Sequence, residues 1–401
     1  MGGGAAGTAA ALCAAAGGGR VTLVEKSSSP SRGSAPDAAV GAPPLFGAGR
    51  ALESAGVEVL RGSPAVSVSS ALRVASSRWS ARFDAVVVAT GSRRLRAPLC
   101  GSRKEGVFAF DGPCDQAPMR AGLASARAIV VAGAGLDALQ VADTVARSGA
   151  SVTIISRRDA CFRALGCGLG EVLAQAARAA GVTLAEGPLE KALGLGALEG
   201  VVAGGRVIPC DGLAMVPPAV PAVPAVDAAL GPLGGVAVGP SLESTSRGIF
   251  AAGGCAETGA APGEDGWEGS AGPMGRVAGA NASGGCFRYV PFRSLSGTIF
   301  GVAFGCAGMT PSEARLAGYD PAVASKRWGP FEGCWVVYDR RGGMALGVQA
   351  AGEAAVRCLQ GARLAVSQGV LLRTLTGPGG LGSIDITPIL EAVREGLTHR
   401  G

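Results

Sequence analysis

The chain has a single histidine among its 401 residues, His399, close to the C-terminus. A His–Glu acid-base pair is therefore excluded unless the tail folds back onto a site. Its eleven cysteines, scattered from Cys13 to Cys358, form no CxxC pair. That distribution belongs to a reducing compartment and argues against a disulfide framework. Cys161 and Cys167 are near neighbours in sequence, and their spacing suits idle thiols better than a redox pair. No metal site is expected. The net charge is only +6 and no run of five or six basic residues occurs, so a nucleic-acid or membrane-surface footprint is absent. Long hydrophobic runs are missing too. Gly2 to Gly19 is mostly Gly and Ala, and Met215 to Val226 is broken by four prolines. With no basic stretch leading into an apolar one at the start, a soluble, cytoplasmic protein is expected.

Glycine is abundant: 67 of 401 residues, where about 7% is usual. A three-glycine pattern alone therefore carries little weight, and context must supply the signal. GGGAAG at Gly2 to Gly7 opens an Ala-rich stretch and ends in the β-branched VTLV before Glu25. GAGLDA at Gly133 to Ala138 opens a second helical stretch and ends in VTII before Ser156. The interval from Gly2 to Glu25 equals that from Gly133 to Ser156. In such a βαβ unit one glycine makes the turn, another lets backbone approach a diphosphate, and the third lets helix and strand pack closely. The diphosphate rests on the helix N-terminus, where free N–H groups and the macrodipole favour negative charge. Two nucleotide cofactors are implied.

With 48% hydrophobic and 16% charged residues the chain is of globular composition and long enough for two or three domains. The first module closes on the apolar strand FDAVVVATGS, Phe83 to Ser92, after a Ser/Pro/Gly-rich loop from Ser27 to Arg50, a short helix and a GVEVLRG strand. The second starts with the strand Ala128 to Ala132. It continues through a helix Cys167 to Ala180, a strand Val182 to Ala185 and a hairpin near Val201 to Val207. Pro217 to Pro224 then read as a stiff linker that cannot be a central strand. Val236 to Glu257 reads as strand, loop, strand, followed by a helix Pro273 to Ala282 stopped by Gly284 and Gly285. The last part differs in character. Thr310, Pro311 and Glu313 make a capping box, Cys334 to Gly352 a pair of strands, and helices are expected at Glu353 to Gln368 and Pro388 to Leu397.

The order of these motifs, GGGAAG with Glu25, VVVATGS, GAGLDA, GIFAAGGCAE at Gly248 to Glu257 and GPMGRVAGANASGG after it, resembles the pyridine nucleotide-disulfide oxidoreductase superfamily. GTIFGVAFGCAGMTPSEARLAGYD is similar to the C-terminal domain of its coenzyme A-disulfide reductase and NADH oxidase members. The resemblance implies an α/β fold with two Rossmann-like dinucleotide-binding domains, the second inserted in the first, plus a C-terminal α+β dimerisation domain. The boundaries would be 1–119 and 233–285 for FAD, 120–232 for NAD(P)H and 286–401 for the interface of a possible homodimer. It implies that Gly2, Gly4 and Gly7 meet the FAD diphosphate and Glu25, followed by Lys26, the ribose. Ala89, Thr90 and Gly91, with Gly253 and Gly254, pass the cofactor; Gly133, Gly135 and Ala138 serve NAD(P)H. Where a ribose acid would stand in the second copy, Ser156 is followed by Arg157 and Arg158. A guanidinium there binds a 2′-phosphate that a carboxylate would repel, so NADPH is expected over NADH, the alternative being two solvated charges.

Three departures from the family pattern stand out. Only Met1 precedes the first glycine turn, so the strand that should lead into it is expected to be missing. The aspartate of the last flavin motif is replaced by Gly254, and no cysteine occurs between Glu25 and Phe46, where the redox thiol would stand. No catalytic side chain can be named. What is left is hydride transfer from NAD(P)H to flavin and on to an unidentified small-molecule or protein acceptor. The alternatives are a thiol-free ferredoxin or rubredoxin reductase-like enzyme, and an inactive nucleotide-binding or interaction module.

Overall fold

The computed structural model describes residues 1–27, 48–95, 98–110, 116–133, 135–157, 162, 165–259, 270–292, 294–357, 359–367 and 391. Most of the expected loop from Ser27 to Arg50 lies outside the described residues. So do Arg158, Cys161, the expected helix from Pro388 to Leu397 apart from Glu391, and His399. The chain divides into two compact units, Met1–Leu95 with Ala219–Arg293, and Arg96–Pro218 with Ser294–Gly401.

In the first unit the helix Ala5–Ala16 lies directly on the helix Ala271–Ala282. A Cβ at Gly275 or Gly279 would overlap the backbone of Ala6 or Ala10. Both helices put Ala or Gly at the contact because only such residues permit backbones this close, and close contact there replaces the bulk of larger side chains. Two parallel strand pairs flank them, Thr22–Val24 with Glu58–Leu60 and Val86–Val88 with Ile249–Ala251. Met1 stands between the pairs. Its ammonium donates to Val87 O at 2.8 Å, its carbonyl accepts from Ala89 N at 2.8 Å, and the next N–H, of Gly2, donates to Val24 O at 2.7 Å. One residue thus does part of the pairing of a central strand, and the two pairs remain separate sheets. An antiparallel meander, Ala65–Val68, Arg73–Ser76 and Ser80–Arg82, completes this unit's core with Val74 and Val68 facing inward.

In the second unit the corresponding sheet is whole. Its order is Thr183–Glu186, Ser151–Ser156, Ala128–Gly133, Gly212–Val216, Val107–Ala109, all parallel, with the strand leading into the glycine turn at the centre. Its central strands, AIVVAG and GLAMV, are nearly continuous apolar runs, as burial on both faces requires. Val107–Ala109 precedes the sequence division at 119 yet pairs with Leu213–Met215, so it belongs with this sheet. Three residues carry no readable period.

Residues 294–401 share this unit. Five antiparallel strands run Ser294–Ile299, Val302–Gly308, Ala345–Ala351, Glu332–Asp339, Pro321–Gly329. The helix Cys167–Ala179 meets this sheet where Gly168 leaves room for the Trp335 indole and Gly166 for the Gln349 amide. The expected capping box is present: Glu313 N donates to Thr310 Oγ1 at 3.3 Å and Thr310 N to Glu313 Oε2 at 2.6 Å, with Pro311 opening the helix.

Candidate functional site

The first glycine turn is as tight as its sequence requires. Gly2 has φ +96°, a Cβ there would overlap Ala89 O, and one at Gly7 would overlap Gly2 O. Gly4, by contrast, faces open space and caps the helix Ala5–Ala16 with no side-chain hydrogen bond. The first-turn N–H groups and the positive end of the helix are thereby left for an anion.

Glu25 ends the following strand, buried. Its Oε2 accepts Gly3 N at 2.5 Å, and its Oε1 accepts Ser27 N and Oγ at 2.8 and 2.9 Å. Oε1 has both its lone pairs engaged by Ser27, while Oε2, with one bond, keeps acceptor capacity for a ribose hydroxyl. Lys26, beside it, is exposed.

The ATG segment lies across the same turn. Ala89 is buried; the Thr90 hydroxyl is buried with no hydrogen-bond partner among the described residues; Gly91 has φ +73°. Gly253, φ +76°, sits against Ala6, and Gly254 against Ser92. Residues far apart in the chain, Gly2, Gly7, Ala89 to Gly91, Gly253 and Gly254, therefore converge on one helix N-terminus.

In the second unit Gly133 ends its strand where a Cβ would overlap Val216 O, and Gly135, φ +83°, faces open space at the N-cap of the helix Leu136–Ala146. Ala138 is fully buried beneath it. Ser156 is buried at the end of its strand, the position Glu25 holds in the first copy, and Arg157 is exposed beside it.

Sequence reasoning passed over Asp137, which puts a carboxylate in the first turn of the second helix, and Ser92, whose side chain stands over Gly254. Attention to the residues flanking each motif would have found both. Cys255 is buried, its thiol donating to Val88 O at 3.3 Å. A buried, hydrogen-bonded thiol is poorly placed as a nucleophile.

An uncapped helix N-terminus under a turn too tight for side chains, an orphaned buried hydroxyl and a carboxylate at the strand end fit an adenine dinucleotide in the first unit. The open N-cap at Gly135 fits a second. The groups described at both sites are suited to binding and orienting dinucleotides.

Among curated proteins, the ferredoxin reductase component of a chlorobenzene dioxygenase from Cupriavidus sp. (strain PS12) is 39% identical over 88 residues, 22% of this chain and 22% of that protein's length. Among solved structures, a ferredoxin reductase from Rhodopseudomonas palustris superposes with TM-score 0.79 at 18% identity, covering 98% of both chains. An NAD-dependent persulfide reductase from A. fulgidus superposes with TM-score 0.78 at 20% identity, covering 99% of this chain and 82% of its own. At such identities the superpositions speak for the fold. Among the described residues no helix is long and apolar enough to cross a membrane. The model of the pyridine nucleotide-disulphide oxidoreductase family matches residues 1–280, and the chain belongs to that family of FAD- and NAD(P)H-binding oxidoreductases.

Proposed function

We propose that this protein carries hydride from NADPH to FAD and delivers the electrons to a small iron–sulfur protein without a thiol relay. FAD, when bound, takes two electrons as hydride and can release them singly, which suits a one-electron acceptor. The chain's own part is to hold the two dinucleotides: the Gly4 helix end and Glu25 for FAD, the Gly135 helix end with Arg157 and Arg158 for NADPH.

The observation that carries this reading is the absence of any cysteine from Ser27 to Phe46, together with the burial of Cys255. Disulfide reduction needs an accessible thiolate beside the flavin. The similarity to a ferredoxin reductase component supports the choice of acceptor. The proposal includes a homodimer formed through the C-terminal sheet, supported by the surface-exposed Val323 and Trp328 on its edge strand.

The test is spectroscopic. Purified protein given FAD should turn yellow, bleach anaerobically with NADPH, and then reduce a plant-type or bacterial [2Fe–2S] ferredoxin while leaving glutathione disulfide and coenzyme A disulfide untouched. A preparation that stays colourless with FAD, or one that reduces a disulfide faster than a ferredoxin, overturns it.

A further inference from the structure

We infer that Glu186 reads the adenine base of the nicotinamide dinucleotide, its carboxylate accepting a hydrogen bond from the 6-amino group. This rests on the proposed binding of NADPH in the second unit. Thr183–Glu186 is the strand next outward from Ser151–Ser156, and the two run parallel in a register that pairs Glu186 with Ser156 at their C-terminal ends. Residues paired in this way send their side chains to one face of the sheet. From the centre of the sheet outward the strand ends are Gly133, Ser156 and Glu186, each step about 4.8 Å. A dinucleotide whose diphosphate rests at the Gly135 helix end and whose ribose meets Ser156 runs along that line, outside the carboxyl ends of the strands. The base follows the ribose in the ligand as Glu186 follows Ser156 in the sheet.

The backbone that carries Glu186 is fixed from two sides. Gly187, at φ +140°, donates its N–H to Ser156 O at 3.2 Å, and a Cβ on it would overlap Gly204. That neighbouring turn is itself tied down, Gly204 N donating to Pro188 O at 3.1 Å and Gly205 N to Glu190 Oε1 at 2.7 Å. The Glu190 carboxylate is thus spent on the turn. Glu186 is exposed and makes no hydrogen bond or ion pair among the described residues, so its oxygens stay available on a rigid strand end. An ionised carboxylate only accepts. A 2′-phosphate offers it no donor and belongs to Arg157, whereas the 6-amino group is the donor on adenine. Opposite charges on adjacent strand ends therefore divide the adenosine half of the ligand between them, the guanidinium taking the phosphate and the carboxylate the base.

Calorimetric titration of the purified protein with NADP+ and with its deamino analogue, which carries an oxygen in place of the 6-amino group, tests this. The unaltered protein should bind NADP+ about five- to tenfold more tightly than the analogue, the scale of one hydrogen bond to a charged group at an exposed position. Glu186→Ala should lose that factor for NADP+ and bind the two alike. Glu186→Gln, whose amide can donate to the oxygen, should bind the analogue at least as tightly as NADP+. Arg157→Ala should weaken both nucleotides to the same extent and leave the preference for the base intact. Equal affinity of the unaltered protein for the two nucleotides overturns the assignment, and so does tighter NADP+ binding by E186A or E186Q, which would mean that the carboxylate repels the 2′-phosphate. Failure of the unaltered protein to bind either nucleotide would instead overturn the parent proposal and this one together.

Discussion

Asp143, in the helix that carries the second glycine turn, accepts a hydrogen bond from the backbone N–H of Phe300 at 3.1 Å, across 157 residues of sequence. The same carboxylate takes Arg147, one turn on, through both its Nε and a terminal nitrogen. Asp143 is buried, while most of the Arg147 side chain is exposed. Phe300 has φ +50° and is followed by Gly301 at φ +75°, joining Ile299 to Val302 in a two-residue hairpin. Such a turn needs positive φ at both positions, which Asn and Gly adopt easily and Phe does not. The Asp143 bond helps hold a strained residue in place and ties the nucleotide-binding segment to the C-terminal sheet within one unit.

Removing the carboxylate should therefore cost more than an exposed ion pair would. Asp143→Ala leaves the Phe300 N–H without its acceptor and is expected to lower stability by about 1–3 kcal/mol, whereas Arg147→Ala should cost under about 1 kcal/mol. Phe300→Asn, which relieves the turn, should be neutral or stabilising. Urea unfolding of the three variants checks the order; equal losses for D143A and R147A would remove Asp143's role as a latch.

On the proposed reading, Arg157, exposed beside the buried Ser156, sets the nucleotide preference. Arg157→Ala should reduce kcat/KM for NADPH by about tenfold, the loss of roughly one charge-assisted contact, with NADH hardly affected. Stopped-flow flavin reduction with each nucleotide measures both, and parallel losses would show that the arginine does not read the 2′-phosphate.

On the proposed reading, Asp137, in the first turn of the helix Leu136–Ala146, opposes the NADPH diphosphate. A carboxylate in the first turn competes for the positive end of the dipole, so Asp137→Asn is expected to tighten NADPH binding by about two- to fivefold, in line with about 0.3–1 kcal/mol per charge at a helix end. Calorimetric titration decides it. Weaker binding by D137N would mean that the carboxylate orders the turn instead.

Much of this was legible along the chain, because local backbone demands leave local signatures. The tight turn at Gly2 to Gly7, the capping box at Thr310 and Glu313 and the apolar strands around Val131 and Ile154 each express a short-range rule. Short elements such as Val107–Ala109 were not legible, since three residues hold no period. Nor was the close packing of Gly275 and Gly279 on Ala6 and Ala10, which two Ala-rich stretches do not announce.

The sequence by itself determined the doubled glycine turn, the missing thiol and the order of elements, since each depends on residue identity and short spacing. Only the tertiary structure decided that residues 294–401 join the second nucleotide-binding segment, that Glu25 ties down Gly3, and that Gly254 packs against Ser92. Those relations link residues from 22 to more than 150 positions apart. No local propensity encodes them; they arise when packed backbones leave room for one side chain and not another.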